Sequence, residues 1–152
     1  MTTDLLFTLD LMDQVPEMRL LADLSHFLVS CEFWYPISDE DEALVRRVLD
    51  RTWAFHGRVA SREQIQVEIT FAQHKIWLDL FLGWSKYGFK SWKTRCCGCP
   101  PHLRMRTWPQ PYAISDRLGN DTTDRWQEAV LLKSLVRAIC LRRRRTMSSR
   151  HP

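Results

Sequence analysis

The segment CCGCPPH, Cys96 to His102, concentrates the residues best able to bind a metal ion. Cys96 and Cys99 have CxxC spacing, which lets two thiolates of a tight turn approach one tetrahedral zinc, and Gly98 eases that turn. His102 follows three residues later as a third ligand, and Cys97 offers a competing register. His74, His56, Cys31 and Cys140 are the candidates for a fourth ligand. The expected cofactor is one structural zinc; the competing reading is a set of cysteines that pack or stay free. A thioredoxin-like redox role is disfavoured, because this CxxC does not open a helix after a strand.

A second group of residues carries charge. Lys86, Lys90, Lys93, Arg95, Arg104 and Arg106 could touch phosphates, with Tyr87, Phe89, Trp92 and Trp108 offering stacking faces. The run Arg142, Arg143, Arg144 and Arg145 exceeds what the end of a helix dipole requires and reads as nuclear targeting or retention. The net charge of +4 hides an asymmetry: residues 1–50 sum to −8, residues 51–85 to +1 and residues 86–152 to +11. The basic half could meet nucleic acid, an acidic protein or the chain's own acidic half. Seven tryptophans suit cores and interfaces equally, and Phe33, Trp34, Trp84 and Trp92 are candidate docking residues.

Enzyme motifs are lacking. There is no phosphate-cradling glycine loop, HExxH or GxSxG, and the five histidines have no partnered acid at a recognisable spacing. No apolar run is long enough to span a bilayer. No N-terminal basic segment leads into an apolar run, so reduced thiols in an intracellular setting are expected.

The elements that must position these residues follow from apolar spacing. The 152 residues, 45% hydrophobic, predict one α+β domain with three parts. These are an acidic helical part over 1–57, a strand-rich part with the cysteines over 58–112, and a basic C-terminal amphipathic helix and tail over 113–152. Leu20, Leu21, Leu24, Phe27 and Leu28 predict a helix from Glu17 to Ser30. Leu21, Leu24, Phe27 and Val29 also match a leucine-rich export pattern, for which core packing is the preferred reading. Ser38 opens the clearest helix, with Asp39, Glu40, Asp41 and Glu42 as capping acids. Its apolar stripe runs through Leu44, Val45, Val48, Leu49 and Trp53 to a stop at Gly57. Ile65, Val67, Ile69 and Phe71 alternate with polar residues as a half-buried strand does. A turn near Gln73-His74-Lys75 leads to a second strand or short buried helix, IWLDLFLGW, which allows a β-hairpin or small sheet. A last helix starts at Asp124, with Trp126, Val130, Leu131, Leu135, Val136 and Ile139 as its apolar face.

Two stretches resemble the adenoviral early-region-four 34-kilodalton protein family. In FLVSCEFWYP, Phe27, Glu32, Phe33 and Pro36 fall at the family's spacing before a helix. In YGFKSWKTRCCGCPP, Gly88, Phe89, Ser91, Trp92 and Cys96 echo a glycine-aromatic-x-Ser-Trp run that leads into a Cys/His cluster. The chain is roughly half the family's size, and Arg95 and Gly98 stand where the family has more Cys/His character. The resemblance implies a viral, nuclear, non-enzymatic adaptor of host proteins. The family recruits elongins B and C with a cullin through boxes of a small residue, Leu, three residues and Cys. Here Ser134-Leu135 with Cys140 misses that box by one residue, and Phe27 with Cys31 has the interval but not the first residues. The alternative is a small zinc-stabilised nucleic-acid-binding regulatory protein.

Elemental mass spectrometry of the purified protein is expected to give about one zinc per chain. Cys96→Ser and Cys99→Ser should each lose the metal together with cooperative unfolding. Metal-free protein whose variants unfold like the parent would remove the zinc.

Overall fold

The computed structural model describes residues 3–96, 101–107 and 114–141. The elements run α1 (Leu5–Gln14), β1 (Leu20–Ala22), α2 (Leu24–Ser30), α3 (Asp39–Leu49), β2 (Thr52–Gly57), α4 (Lys75–Arg95), β3 (His102–Met105) and α5 (Arg125–Leu141). The α+β expectation holds. The strands lie in the order β1-β2-β3, and both pairs are parallel. Parallel neighbours need long crossovers, supplied here by α2 with α3 and then by α4. The expected hairpin is not found among the described residues.

Register sorts the sheet residues into two faces. Ala22, Phe55 and Leu103 stand in one row, and Leu21, Ala54 and His102 in the other. Phe55 meets Phe89 of α4 edge-on, with ring centroids 5.0 Å apart, so the first row faces the helices. α3 lies against β1, α4 against β2, and α5 against β2 and β3. On the other face Leu21, His102 and Arg104 are exposed. Against Leu20 and Leu21 the partner register steps from Thr52 to Ala54, so Trp53 is an extra, bulged residue. The Arg19 guanidinium covers its ring at 4.0 Å.

Capping residues fix several helix ends. The Ser38 hydroxyl accepts from the Asp41 amide at 3.0 Å, and the acidic quartet fills the first turn of α3, as expected. Asp4 does the same for α1 through the Phe7 amide, and Asp124 for α5 through the Trp126 and Gln127 amides. α2 ends with Glu32 at φ 48°, the Phe33 amide on the Leu28 carbonyl and the Glu32 amide on the Val29 carbonyl. That is a Schellman stop with a glutamate where glycine is usual.

Three sequence expectations are corrected. Leu20 to Ala22 form β1 rather than the first turns of a helix, because their backbone pairs with β2. The α3 helix stops at Leu49, so Trp53 leaves its stripe and Gly57 ends a strand instead. Ile65 to Phe71 form no regular strand, because Gln66 and Glu68, the supposed solvent side, are as buried as Val67 and Ile69. Of the two readings of IWLDLFLGW the strand fails and the helix holds, extended to the 21-residue α4. The part read as strand-rich is therefore mainly helical. No helix of the described residues is long and apolar enough to cross a membrane.

The two glycines of α4 give a paired test. A Cβ on Gly83 meets nothing within 4 Å, whereas one on Gly88 would lie 2.7 Å from the Phe55 ring and 3.0 Å from Leu49. Gly83→Ala is expected to stabilise by about 1 kcal/mol through helix propensity. Gly88→Ala adds an overpacking cost of about 1–3 kcal/mol and should be less stable than the parent. Urea denaturation of the two variants checks this, and equal midpoints would refute the close approach of α4 to β2.

Candidate functional site

The three parallel strands end at one carboxylate. Asp23 follows β1, His56 and Arg58 stand at the end of β2, and Arg106 follows β3. Asp23 Oδ2 accepts from His56 Nδ1 at 3.1 Å, Arg58 Nη2 at 2.9 Å and Arg106 Nη1 at 3.4 Å. Its other oxygen accepts from the Ser25 hydroxyl. Arg58 also donates through Nε to Ser25 Oγ at 2.9 Å and through Nη2 to His26 Nε2 at 3.0 Å. The carboxyl ends of parallel strands are where open sheets gather ligands, and here they gather their own side chains.

The electrostatics follow from burial and neighbours. Burial alone would raise the Asp23 pKa, but the Ser25 hydroxyl, Arg58, His56 and His26 together hold it below the ordinary value. Burial lowers the His26 pKa, and Arg58 and Arg106 add to that against the pull of Asp23. A neutral His26 is what a guanidinium donor at its Nε2 requires. Ser25 is fully buried, its hydroxyl donating to Asp23 and accepting from Arg58.

A second buried network ties the 58–71 segment to α5. Glu68 accepts from Arg125 and, at 2.9 Å, from the Thr122 hydroxyl. Arg125 also donates to Glu128 at 3.3 Å, and the Thr70 hydroxyl donates to Glu128 at 2.9 Å. His74 Nδ1 is taken by the Glu68 carbonyl at 2.8 Å. No sequence spacing announced Asp23, His26, Arg58, Glu68, Arg125 or Glu128; the one available signal was a charge directly after a short apolar run.

The predicted metal ligands are only partly placed. Cys96 caps α4 and is half-buried, and His102 opens β3 and is exposed. Cys97 and Cys99 lie outside the described residues. Among the described residues no group of three or more His, Cys, Asp or Glu side chains is arranged to hold a metal ion. Of the proposed fourth ligands, His56 and His74 each commit Nδ1 elsewhere. Cys31 is exposed at the end of α2. Cys140 stands at the same end of the α4–α5 pair as Cys96, since Lys93 Nζ donates to its carbonyl at 2.8 Å.

Of the six proposed phosphate-contacting residues, Lys86, Lys90 and Lys93 share one exposed face of α4. Arg95 turns back to the Leu49 and Thr52 carbonyls, Arg104 points outward from β3, and Arg106 joins Asp23. The stacking faces are corrected: Phe89 and Trp92 are core residues, and the Tyr87 ring lies under Arg46 with its hydroxyl on Asp50. Phe33, Trp84 and Trp92 are buried too, which withdraws them as docking residues. Trp34 remains 71% exposed, with the Arg62 guanidinium 3.5 Å over its ring. Trp108 and Arg142 to Arg145 fall outside the described residues. Of the export-pattern residues, Leu24 and Phe27 are buried, while Leu21 is exposed on β1.

Comparison of the chain with protein-family models, curated proteins and solved structures gives no match.

Asp23→Asn leaves the buried Arg58 uncompensated and should cost about 3–5 kcal/mol in denaturant unfolding. Acid should act in two stages. The unfolded chain binds a proton at His26 more readily than the folded one, so stability falls below about pH 6.5. Asp23 adds a second loss below about pH 3.8. His26→Asn should remove the first stage only; a profile flat down to about pH 4 in the parent would contradict the assignment.

Proposed function

We propose that the chain is a viral early regulatory protein acting in the host nucleus as a non-enzymatic adaptor between host proteins. The observation that carries this reading is a pair of unpartnered apolar surfaces on two separate helices. On α1, Leu6 and Phe7 are exposed, Phe7 to 56%, beside a groove of about 610 Å³ lined by Leu11, Leu21, Phe27 and Val48. On α5, Trp126 is 73% exposed and is followed by exposed Val130 and Leu131. α1 touches α3, α3 touches α4 and α4 touches α5, so the two surfaces stand at the ends of this series. Exposed aromatic anchors on ordered helices are the usual centres of protein recognition.

The state of the polar residues supports the same reading. The Asp23 carboxylate is met by His56 and Arg58 inside the fold and Glu68 is met by Arg125, whereas the outward features are apolar surfaces and lysines. The resemblance to the adenoviral early-region-four family supplies the viral and nuclear part of the proposal, with Arg142 to Arg145 as the nuclear determinant. Cys96, Cys99 and His102, with Cys97 as the alternative ligand, would hold one structural zinc. Recruitment of elongin and cullin would fall to α5, which carries Ser134, Leu135 and Cys140.

Phe7→Glu and Trp126→Glu test the proposal. Both side chains are exposed, so each variant should keep its stability within about 0.5 kcal/mol. In nuclease-treated capture from host cells, each variant should lose a different group of partners. Immunoblotting the same eluates for elongin C and the cullin reads the ligase arm. Two variants that retain the parent's full set of partners would refute the adaptor.

A further inference from the structure

The distribution of ion pairs divides the cations of this chain into two populations. Arg46 pairs with Glu42, Arg47 with Asp13, Arg58 with Asp23, Arg62 with Glu32 and Lys75 with Asp79. Arg106 and Arg125 also meet carboxylates. Lys86, Lys90 and Lys93 of α4 and Lys133 and Arg137 of α5 are exposed and have no ion pair among the described residues, though Lys93 donates to the Cys140 carbonyl; Arg19, Arg104 and Arg117, exposed singly elsewhere, have none either. The acidic half of the chain is therefore not the partner of this basic face. Asp13, Asp23, Glu32 and Glu42 of that half pair with arginines, Glu42 also accepts from the Trp84 indole, and Asp50 accepts from the Tyr87 and Ser91 hydroxyls.

The unpaired cations of α4 and α5 form two rows. Lys86, Lys90 and Lys93 recur every three or four residues, so they line one side of α4 over about 10 Å. Lys133 and Arg137 form a second row on the adjacent α5, along a separate depression lined by Pro101, Leu103 and Cys140. Along the α4 row runs a groove of about 500 Å³ lined by Lys86, Lys90 and Lys93, with Arg46 of α3 and Ile139 of α5. α4 has no acidic residue after Asp79, and the chain has none after Glu128. The arginines at 142–145 follow α5 directly in sequence.

We infer that this α4–α5 face binds the phosphate backbone of a nucleic acid without reading its sequence. A phosphodiester chain offers one negative charge every few ångströms, which matches cations set out in rows rather than at one point. The chemistry is backbone contact and not stacking, because Phe89 and Trp92 are buried and Tyr87 is covered by Arg46. The inference goes beyond the adaptor reading: Lys133 and Arg137 share the α5 stripe of Trp126 and Val130, but Lys86, Lys90 and Lys93 lie on neither apolar surface, so the α4 replacements let the two fail separately.

Fluorescence anisotropy with a labelled 20-base-pair duplex, over a salt series, tests it. With about five phosphates contacted, affinity should fall about 500-fold between about 50 and 200 mM salt. Lys86→Gln, Lys90→Gln and Lys93→Gln together should lower the log–log salt slope by about 3, and Lys133→Gln with Arg137→Gln by about 2. The same decrements should appear in a chain with Arg142 to Arg145 replaced by alanine. Slopes unchanged by the lysine replacements would overturn the inference and leave the arginine run alone as the binder. Displacement of the duplex by polyglutamate at equal charge would also overturn it, in favour of an acidic protein. These side chains are exposed, so unchanged thermal unfolding should accompany each substitution.

Discussion

The Asp23 carboxylate is the constraint on which the sheet depends. It sits directly after β1 and receives donors from β2 and from the residue after β3, so one anion fixes the ends of three strands. A carboxylate taken out of water costs several kcal/mol unless its lone pairs are filled and its charge is met. Here Ser25, His56, Arg58 and Arg106 do both, and Arg58 is in turn held by Ser25 and His26. β1 has three residues and β3 four, too few for ladder bonds alone to specify their pairing. The charge cluster supplies what the short ladders lack.

Charge is also what divides the surface. The ion pairs of the acidic first third are made with Arg46, Arg47, Arg58, Arg62 and Arg106 and none with the lysines of α4 and α5, which face solvent without counter-charges among the described residues. Apolar exposure follows another geometry, since α1 and α5 each turn one face inward and keep large side chains outside. α5 buries Ala129, Leu132 and Val136, a narrower stripe than its sequence suggests. Trp126, Val130 and Leu131 therefore stand beyond the contact that α4 makes.

Local chemistry was legible in the sequence where it decides structure by itself. Ser38 and its four acids announce the start of α3 because a cap acts within one turn. The start of α5 was read to within a residue, at Asp124, which is the cap rather than the first helical residue. The mixture of helix and strand was legible as well, but the placement of the strands was not. Leu20 to Ala22 carry helical spacing, and only the backbone of β2, some thirty residues away, makes them a strand. Val67 and Ile69 alternate like strand residues, yet Glu68 between them is buried by Arg125, which no local pattern reveals. The candidate site was least legible. Asp23, Arg58 and Arg106 are more than thirty residues apart and meet only after both crossovers have formed. The tryptophans mislead for a related reason: Trp84 and Trp92 face the core on α4, while Trp126 has the same composition signal and faces out.

The parallel order of the sheet has a consequence for how the chain can fold. Neither strand pair closes a local hairpin, and β2 and β3 are separated by the whole of α4. Loop-closure entropy is lost before any ladder bond compensates for it, so strand pairing must follow helix formation and helix docking. The early structure that can form from neighbouring residues is α3 against α1 and the inner face of α4. Because Arg58 and Arg106 meet Asp23, and Arg125 meets Glu68, the three parts of the chain distinguished by composition are tied to one another by buried charge. Cooperativity is built into the order of the strands.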